Sequence, residues 1–486
     1  MPHGSGILPT QTLWKSRDVS GSIIAEWLRR SVVWLAAPAL IAAAPPSALL
    51  PPPSGDPRTV SALTDPLIAF AEAPGLDPAA AAALLAGAAH RNPGTGEALA
   101  TAREAEGARD EAGAALRPHI DADLTEQHVV SRGFSHDPGN LIERSRPGQR
   151  ADLSLSAEQL IWDFGAAHAR LHAARDRALG ESARAQAVAN DIALEAAQDW
   201  CDLRAALAAR AITDASVRRH RAILADTRER VRAGVGAPGD ADRVEAALGG
   251  AEGEAARANG EVGRARARLT VALGLPVPDL VPRLVPPGID AVTLPAAIAA
   301  TRDLPESGFA IAGVEAARRD LAATRADRLP RLSLGIDAAK YSIFSGVEDH
   351  DIRARITLRH RLYGGGASAA REDQAQARVA AAMFTADRIA EESARDAATA
   401  WEEARARAVE VAALRDAYLA QRRARDGYAE QFRVERGTLL EMLRAEADLV
   451  AAAIAYVRVV SGADVARWTL LARTGRLIAM LGIDPV

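Results

Sequence analysis

The chain has 486 residues, of which 49% are hydrophobic and 25% charged, and its formal net charge is -4. This length allows several domains, and the absence of a strongly basic balance argues against a nucleic-acid partner. Only 4% of the residues are aromatic and alanine is abundant, which favours closely packed helices over an aromatic-rich globular core. The single cysteine, Cys201, excludes a disulfide framework and a cysteine-based zinc site.

The N-terminus is typical of an export signal. Arg29 and Arg30 precede the apolar run "SVVWLAAPALIAAA", which predicts a signal peptide over residues 1–44 and a start codon downstream of the first methionine. A membrane anchor is less favoured, because the run is short for a spanning helix. No cysteine follows the run, so we expect no lipid anchor. The proline-rich segment 45–75 is predicted to be poorly ordered.

Two long tracts are almost free of proline. Of the 26 prolines, only Pro238 lies between residues 165 and 275, and none lies between 366 and 484. Because proline breaks helix interiors, each tract is predicted to be a pair of long helices, over about 165–275 and about 366–484. The turns are predicted at "AGVGAPGDADRVEAAL" and "FRVERGTLLEMLRAEADL". Helices of this length persist when an apolar seam is buried, as in a coiled coil.

The chain is an internal duplication. Residues that match at a constant offset of 201 positions are Trp162 with Tyr363, Gly165 with Gly366, Trp200 with Trp401, Asp240 with Glu441 and Glu245 with Glu446. The segments "RLTVALG" and "RLIAMLG" match near the end of each copy. Constant offsets of this kind predict two structural repeats, 76–280 and 281–486.

Each repeat also contains a segment with a period of two. In "DIRARITLRHRLY" apolar residues alternate with arginines, and in "ADLSLSAEQLIW" leucines alternate with Asp152, Ser154, Ser156, Glu158 and Trp162. These patterns predict β-hairpins at about 117–164 and about 329–364, each strand having about the ten residues that a tilted membrane strand needs. A soluble sheet with one wet face remains the alternative. Four strands cannot close a barrel, so a membrane barrel would have to be shared among several copies.

The order of these segments, helix with "NP", strands opened by "LRP" or "LPRL", and long helices ending in "ALGLP", resembles the TolC family of outer-membrane channel-tunnels over Leu84 to Pro485. The resemblance implies a mainly α fold with membrane β, in which a homotrimer forms a twelve-stranded outer-membrane β-barrel continued by an α-helical periplasmic barrel. It also implies docking to an inner-membrane ABC or RND exporter through a periplasmic adaptor protein, contact with outer-membrane lipid, and no cofactor.

The resemblance further assigns the two helix turns to the periplasmic gate and the adaptor-docking surface. The residues so assigned are Gly234, Asp240, Arg243, Glu435, Gly437, Glu441 and Arg444. Glu435 stands where the family usually has glycine, and Arg444 replaces an acid. Acids repeated by three-fold symmetry would make the channel mouth negative. Alternatively, Glu441 and Arg444 form an ordinary surface ion pair.

The charged strand residues are assigned to the barrel lumen on the same resemblance. They are Arg353, Arg355, Arg359, Arg361, Asp152 and Glu158. The arginines would favour anionic cargo, unless Asp152 and Glu158 on the companion strand neutralise them.

The segment "YGGGASAARED" joins a predicted strand to a predicted helix. It lacks the lysine and the spacing of a phosphate-binding loop, and its counterpart "WDFGAAHARLH" has one glycine. We therefore predict a strand–helix hinge at Gly165 and Gly366, with Gly364 and Gly365 adding only local slack.

No catalytic constellation is present, so we predict that the chain is not an enzyme. The predicted function is a passive exit channel, with type I secretion of a protein preferred to efflux of small molecules. A periplasmic coiled-coil adaptor is the weaker alternative, because it would carry one helical hairpin rather than two.

Overall fold

The computed structural model describes residues 49–131, 148–278, 281–289, 291–344 and 348–482, and the predicted signal peptide lies outside them. The helices are α1 (Pro66–Ala71), α2 (Pro78–Arg91), α3 (Pro93–Ala114), α4 (Ala166–Arg232), α5 (Pro238–Leu273), α6 (Leu294–Ala300), α7 (Pro305–Ala326), α8 (Ala367–Arg433), α9 (Leu439–Arg473) and α10 (Arg476–Leu481). The strands are β1 (His119–His128), β2 (Gln149–Trp162), β3 (Arg331–Lys340) and β4 (His350–Arg359).

The two repeats have the same helical architecture. Helices α4 and α8 have 67 residues each, which corresponds to about 100 Å of helix at about 1.5 Å per residue. Helices α5 and α9, of 36 and 35 residues, return along them. Helix α4 packs against α3, α5, α7 and α9, and α8 packs against α7 and α9. About half of the buried residues of α4 are alanines, so backbones approach closely along the seam.

Three tryptophan side chains hold the linker between the repeats. The indole N–H of Trp200 donates to the carbonyl of Pro282 at 2.8 Å, and that of Trp401 donates to Val292 at 2.7 Å. The indole N–H of Trp468, which is fully buried, donates to Leu284 at 3.1 Å. Because a buried indole needs a hydrogen-bond acceptor, the repeat-equivalent tryptophans fix the course of the linker.

Helix α9 is, among the described residues, the one helix that is long and apolar enough to cross a membrane by length and composition. However, 56% of its most apolar window is buried within the chain. Its packing against α8 and α4 explains that composition as helical core.

The strands form one antiparallel sheet in the order β1-β2-β3-β4. The central pairing of β2 with β3 joins the hairpin of the first repeat to that of the second. Register partners point to the same face, so one face carries mostly leucines, isoleucines and alanines, with Glu126 and Lys340 at one end, and the other carries most of the charged residues. Strands β1 and β4 are the free edges.

The sheet departs from the predicted alternation at one point. A β-bulge between Leu160 and Trp162 shifts the register, so Trp162 pairs with Leu332. Trp162 therefore lies on the apolar face. The sequence pattern had predicted that it lies with the polar residues. A bulge adds one residue to a strand, and a period of two cannot reveal it.

A second prediction is corrected at residues 49–72, which we call the strap. The sequence predicted a poorly ordered segment over 45–75, but the strap packs against α8 and α9, and Leu49, Leu67 and Ile68 are buried. Two of its five prolines, Pro57 and Pro66, begin helical turns instead of breaking them, since they occupy first-turn positions. Asp56 and Asp65 cap these turns.

Candidate functional site

The charged face of the sheet contains five of the six predicted lumen residues. In β4, Arg353, Arg355 and Arg359 alternate with apolar residues and share a face with Asp337 of β3. In β2, Asp152 and Glu158 lie on the same side of the sheet. Arg361 is the exception, because β4 ends at Arg359.

Two of the strand arginines are neutralised, but not by the acids that the sequence suggested. Arg353 pairs with Asp351 at 3.0 Å, and Arg355 pairs with Asp337 at 3.1 Å. Asp152 instead accepts a hydrogen bond from Arg150 at 2.6 Å. The partners come from β4 itself and from β3, because β3 lies between β4 and β2, the strand that carries Asp152 and Glu158.

Charge is distributed unevenly across this face. The β1 edge contributes Asp121 and Asp123, whereas the β4 edge contributes its three arginines. Among the described residues, Arg359 has no ion-pair partner. The two free edges of one sheet are therefore of opposite sign, which suits the pairing of one copy with the next.

The opposite face is apolar and uncovered. Ile120, Leu155, Ile336, Ile352 and Ile356 are exposed to 64%, 48%, 46%, 70% and 74% respectively. A soluble domain buries such a face against another layer of structure. In this chain the face is available to a lipid phase.

Each strand–helix junction contains two successive residues in the left-handed conformation. In the second repeat these are Gly365 and Gly366, with φ of 62° and 83°; in the first they are Phe164 and Gly165, with φ of 55° and 87°. Gly165 and Gly366 thus occupy equivalent positions at the starts of α4 and α8. Gly365 also adopts the left-handed conformation that favours glycine. It therefore contributes more than the local flexibility that the sequence suggested.

The two helix turns at the other end of the long helices also match each other. Gly234 has φ of 76°, and its equivalent, Glu435, has φ of 60°. Gly236 N–H donates to the carbonyl of Arg230 at 3.2 Å, and Gly437 N–H donates to Gln431 at 3.1 Å. Glutamate at position 435 adopts a conformation that favours glycine, which is the residue usual at this point in the family.

The predicted gate acids cap helices. The Glu441 carboxylate accepts from the backbone N–H of Thr438 at 3.0 Å and from its hydroxyl at 2.8 Å. These hydrogen bonds hold the pKa of Glu441 below its ordinary value. In the first turn, Asp240 accepts from the backbone N–H of Ala237 at 3.3 Å. Arg243 and Arg444 are exposed, and within the described part of the chain Arg444 forms no ion pair with Glu441.

The two turns are held together within one chain by contacts that the sequence did not reveal. The guanidinium of Arg230 stacks 4.7 Å from the ring centre of Phe432. Further along, Arg219 of α4 pairs with Glu446 of α9 at 3.0 Å, and Arg425 of α8 approaches the same carboxylate at 3.6 Å. The one available signal was the repeat match of Glu446 with Glu245, but Glu446 is buried and Glu245 is exposed.

The segment 84–275 matches the family of outer membrane efflux proteins. The chain is also similar to a curated relative, the outer membrane efflux protein BepC of Brucella suis biovar 1 (strain 1330). The two are 30% identical over 175 residues, which cover 35% of this chain and 38% of BepC. The match thus spans well under half of that protein.

Solved structures extend the similarity to most of the chain. A membrane protein from Pseudomonas aeruginosa superposes with a TM-score of 0.72 and 20% identity, covering 81% of this chain and 92% of that one. The outer membrane protein VceC from Vibrio cholerae gives a TM-score of 0.68 and 18% identity, covering 81% and 95%. The open-state outer membrane channel MtrE of Neisseria gonorrhoeae gives a TM-score of 0.68 and 18% identity, covering 81% and 88%.

These matches confirm the predicted resemblance to the TolC family and the predicted fold of long helical hairpins with antiparallel strands. The matched family and VceC are outer membrane proteins, in agreement with the predicted location. The prediction that the chain is not an enzyme agrees with this similarity, because the matched family is one of efflux proteins.

Proposed function

We propose that three copies of the chain form a passive exit channel in the outer membrane. The observation that carries the proposal is the sheet: its apolar face is exposed, its edges are unpaired, and its other face is charged. Open edges are not tolerated in lipid, so the sheet has to close with copies of itself. Three copies of this four-stranded sheet supply twelve strands, the number implied by the resemblance.

The charges at the edges support closure by a neighbouring copy. In a closed ring β4 of one copy lies antiparallel to β1 of the next, which brings arginines towards Asp121 and Asp123. The apolar face then meets lipid and the charged face lines the lumen. Since Asp337 and Asp351 neutralise two of the arginines, the lumen has weaker preference for anionic cargo than the arginines alone would give it.

The test of this assembly is the heat-modifiable trimer and its conductance. Protein extracted from the outer membrane should migrate as a trimer without boiling and form pores in a planar bilayer. Asp123→Lys should reduce the trimer yield, and Ser154→Lys, at the register partner of Asp123 in an interior strand, should not. Equal yields for the two variants, or a soluble periplasmic monomer in the wild type, would refute the assembly.

The helix turns are the proposed docking surface for a periplasmic adaptor that connects the channel to an inner-membrane exporter. Arg243 and Arg444 are exposed there, while Asp240 and Glu441 stabilise the helix starts. Charge reversal at Arg243 or Arg444 should therefore reduce export in cells and leave bilayer conductance unchanged. Loss of conductance in these variants would place the two arginines in the pore instead.

For the cargo we propose a protein exported by a type I system, since the second turn, "RGTLLEMLRAEADL", resembles that of type I partners. Efflux of small molecules is the second candidate, favoured by the similarity to BepC, an outer membrane efflux protein. A strain lacking this chain should lose a secreted protein in the first case and become sensitive to toxic compounds in the second. The adaptor alternative has no support from a fold with two helical hairpins and a four-stranded sheet.

A further inference from the structure

The strap crosses from the first repeat to the second. Its apolar residues Leu49, Leu67 and Ile68 enter one core cluster with Ile212 of α4 and Tyr418 of α8. Arg204 of α4 donates to the carbonyl of Phe70 and stacks 4.1 Å from the Phe70 ring centre. The strap is thus attached to helices that belong to different repeats.

Polar contacts attach the strap to one short stretch of α8. Asp65 is fully buried and pairs with Arg422. It also accepts from the hydroxyl of Tyr418 at 3.0 Å and caps α1 through the backbone N–H of Leu67 at 2.9 Å. A buried carboxylate with this many partners resists removal, because each partner would lose a charge-assisted hydrogen bond.

A second group of contacts lies one helical turn further along α8. The hydroxyl of Ser54 donates to Asp426 at 2.7 Å, and Arg425 donates to the carbonyl of Pro51 at 3.0 Å. Arg425 also pairs with Asp426 and approaches Glu446, the carboxylate that binds Arg219 of α4. The strap and the link between the two helical hairpins therefore share Arg425.

These contacts lie close to the end of α8. Arg422 precedes the last residue of the helix, Arg433, by about three helical turns, or roughly 16 Å of rise. A restraint at that level limits how far the end of α8 can move from α4. The strap ends just after α1 and joins α2 through the short connection 73–77, so it cannot move freely with α8.

We propose that the strap is a restraint that holds the α8–α9 hairpin against α4 and sets how far the helix turns separate. The effect on opening rests on the channel function proposed above, whereas the mechanical restraint does not. Releasing the strap from α8 should loosen the helix turns and leave the sheet end of the same helices unchanged.

The test uses the full-length trimer and the substitution Asp65→Asn, which removes the charge facing Arg422 and keeps the side-chain shape. Tyr418→Phe is the milder second variant, since it removes one hydrogen bond to Asp65 and keeps the ring stacked on Tyr456. Arg407→Gln is the matched control, because Arg407 forms exposed ion pairs on the same helix.

Hydrogen exchange followed by mass spectrometry should show faster exchange over 418–433 and 439–450 in Asp65→Asn, by about tenfold or more, because the charge-assisted hydrogen bonds of Asp65 are weakened. Exchange over 367–400 should not change, and Tyr418→Phe should show a smaller effect in the same segments. The open probability in a planar bilayer should rise with the exchange rate.

Unchanged exchange over 418–433 in both variants overturns the proposal, as does faster exchange with unaltered open probability in a conducting channel. If the wild type does not conduct, the proposed channel function fails. The exchange comparison then still decides whether the strap restrains the helices.

Discussion

The buried ion pair between the repeat linker and α9 provides a quantitative test of the packing. Arg283 binds Asp464 through two hydrogen bonds of 2.7 and 2.8 Å, and their side chains are only 15% and 3% exposed. Burial lowers the pKa of Arg283, but its hydrogen bonds to Asp464 and the charge of that carboxylate outweigh burial and raise it. Nearby, burial lowers the pKa of Arg204 to about 10.

Asp464→Ala should lower the free energy of unfolding by about 3–5 kcal/mol, because it leaves a buried guanidinium without its carboxylate. The double variant Arg283→Met with Asp464→Leu should lower the free energy of unfolding much less, since it leaves no unpaired buried charge. The difference between the single and the double variant measures the cost of an unpaired buried charge.

The assay is chemical denaturation in detergent followed by tryptophan fluorescence. Trp200 and Trp468 donate to the carbonyls on either side of Arg283, so they report on this region directly. The control is Arg458→Gln. Arg458 lies on the same helix as Asp464 and forms an exposed ion pair with Glu261 at 3.4 Å. Loss of this pair should lower the free energy of unfolding by at most about 1 kcal/mol. A cost below about 1 kcal/mol for Asp464→Ala, or equal costs for the single and double variants, would refute the reasoning.

Three further outcomes test local features. Glu435→Gly should stabilise the second helix turn by up to about 1 kcal/mol, and Gly234→Ala should destabilise the first turn by a similar amount, because both residues have positive φ. Hydrogen exchange measures both effects as local opening free energies. Gly366→Ala should lower the unfolding midpoint more than Gly364→Ala, since Gly366 alone of these two has positive φ. Glu306→Gln should be more stable than the wild type at pH 8, and this difference in the free energy of unfolding should close as pH falls towards 4.5. The reason is that burial raises the pKa of Glu306, so the folded state binds the proton more tightly than the unfolded chain.

For each of these predictions, one result would contradict the reasoning. A destabilised Glu435→Gly would show that the glutamate makes a contact worth more than the strain of its backbone. Equal midpoints for the two glycine variants would remove the conformational argument at the junction. A gap between Glu306→Gln and the wild type that does not vary with pH would mean that the carboxylate is not destabilised by burial. Glu306 lines a cavity of about 460 Å³ between α4, α7, α8 and α9.

The duplication explains how much of the candidate site could be predicted. Gly165 and Gly366 were identified because each repeat independently needs a left-handed residue where a strand becomes a helix, and glycine is visible in sequence. The corresponding need at Glu435 was invisible in the residue itself and was indicated only by the family resemblance, which has glycine at this point. In contrast, the ion-pair partners of Arg353 and Arg355 depend on register, which the pattern of alternation does not specify.

The strap shows the opposite limit. Its prolines predicted disorder, since proline is common in irregular segments, but Asp56 and Asp65 in front of Pro57 and Pro66 are a helix-start signal that composition alone hides. The attachment of Asp65 to Arg422 joins residues more than 350 positions apart. No local pattern carries information on such a contact.

The sequence by itself determined the periods, the turns and the repeat, because helix and strand formation depend on neighbouring residues that recur at 3.6 or 2 positions. It thereby determined the long helices, the two hairpins with one apolar face each, and the resemblance to a known family of channels. Only the tertiary structure decided which carboxylate faces which guanidinium, where a bulge turns Trp162 to the apolar face, and that the strap binds both repeats. Those features arise from the packing of segments that are distant in the chain, where the burial of charge and the geometry of hydrogen bonds select one arrangement from many that the local sequence allows.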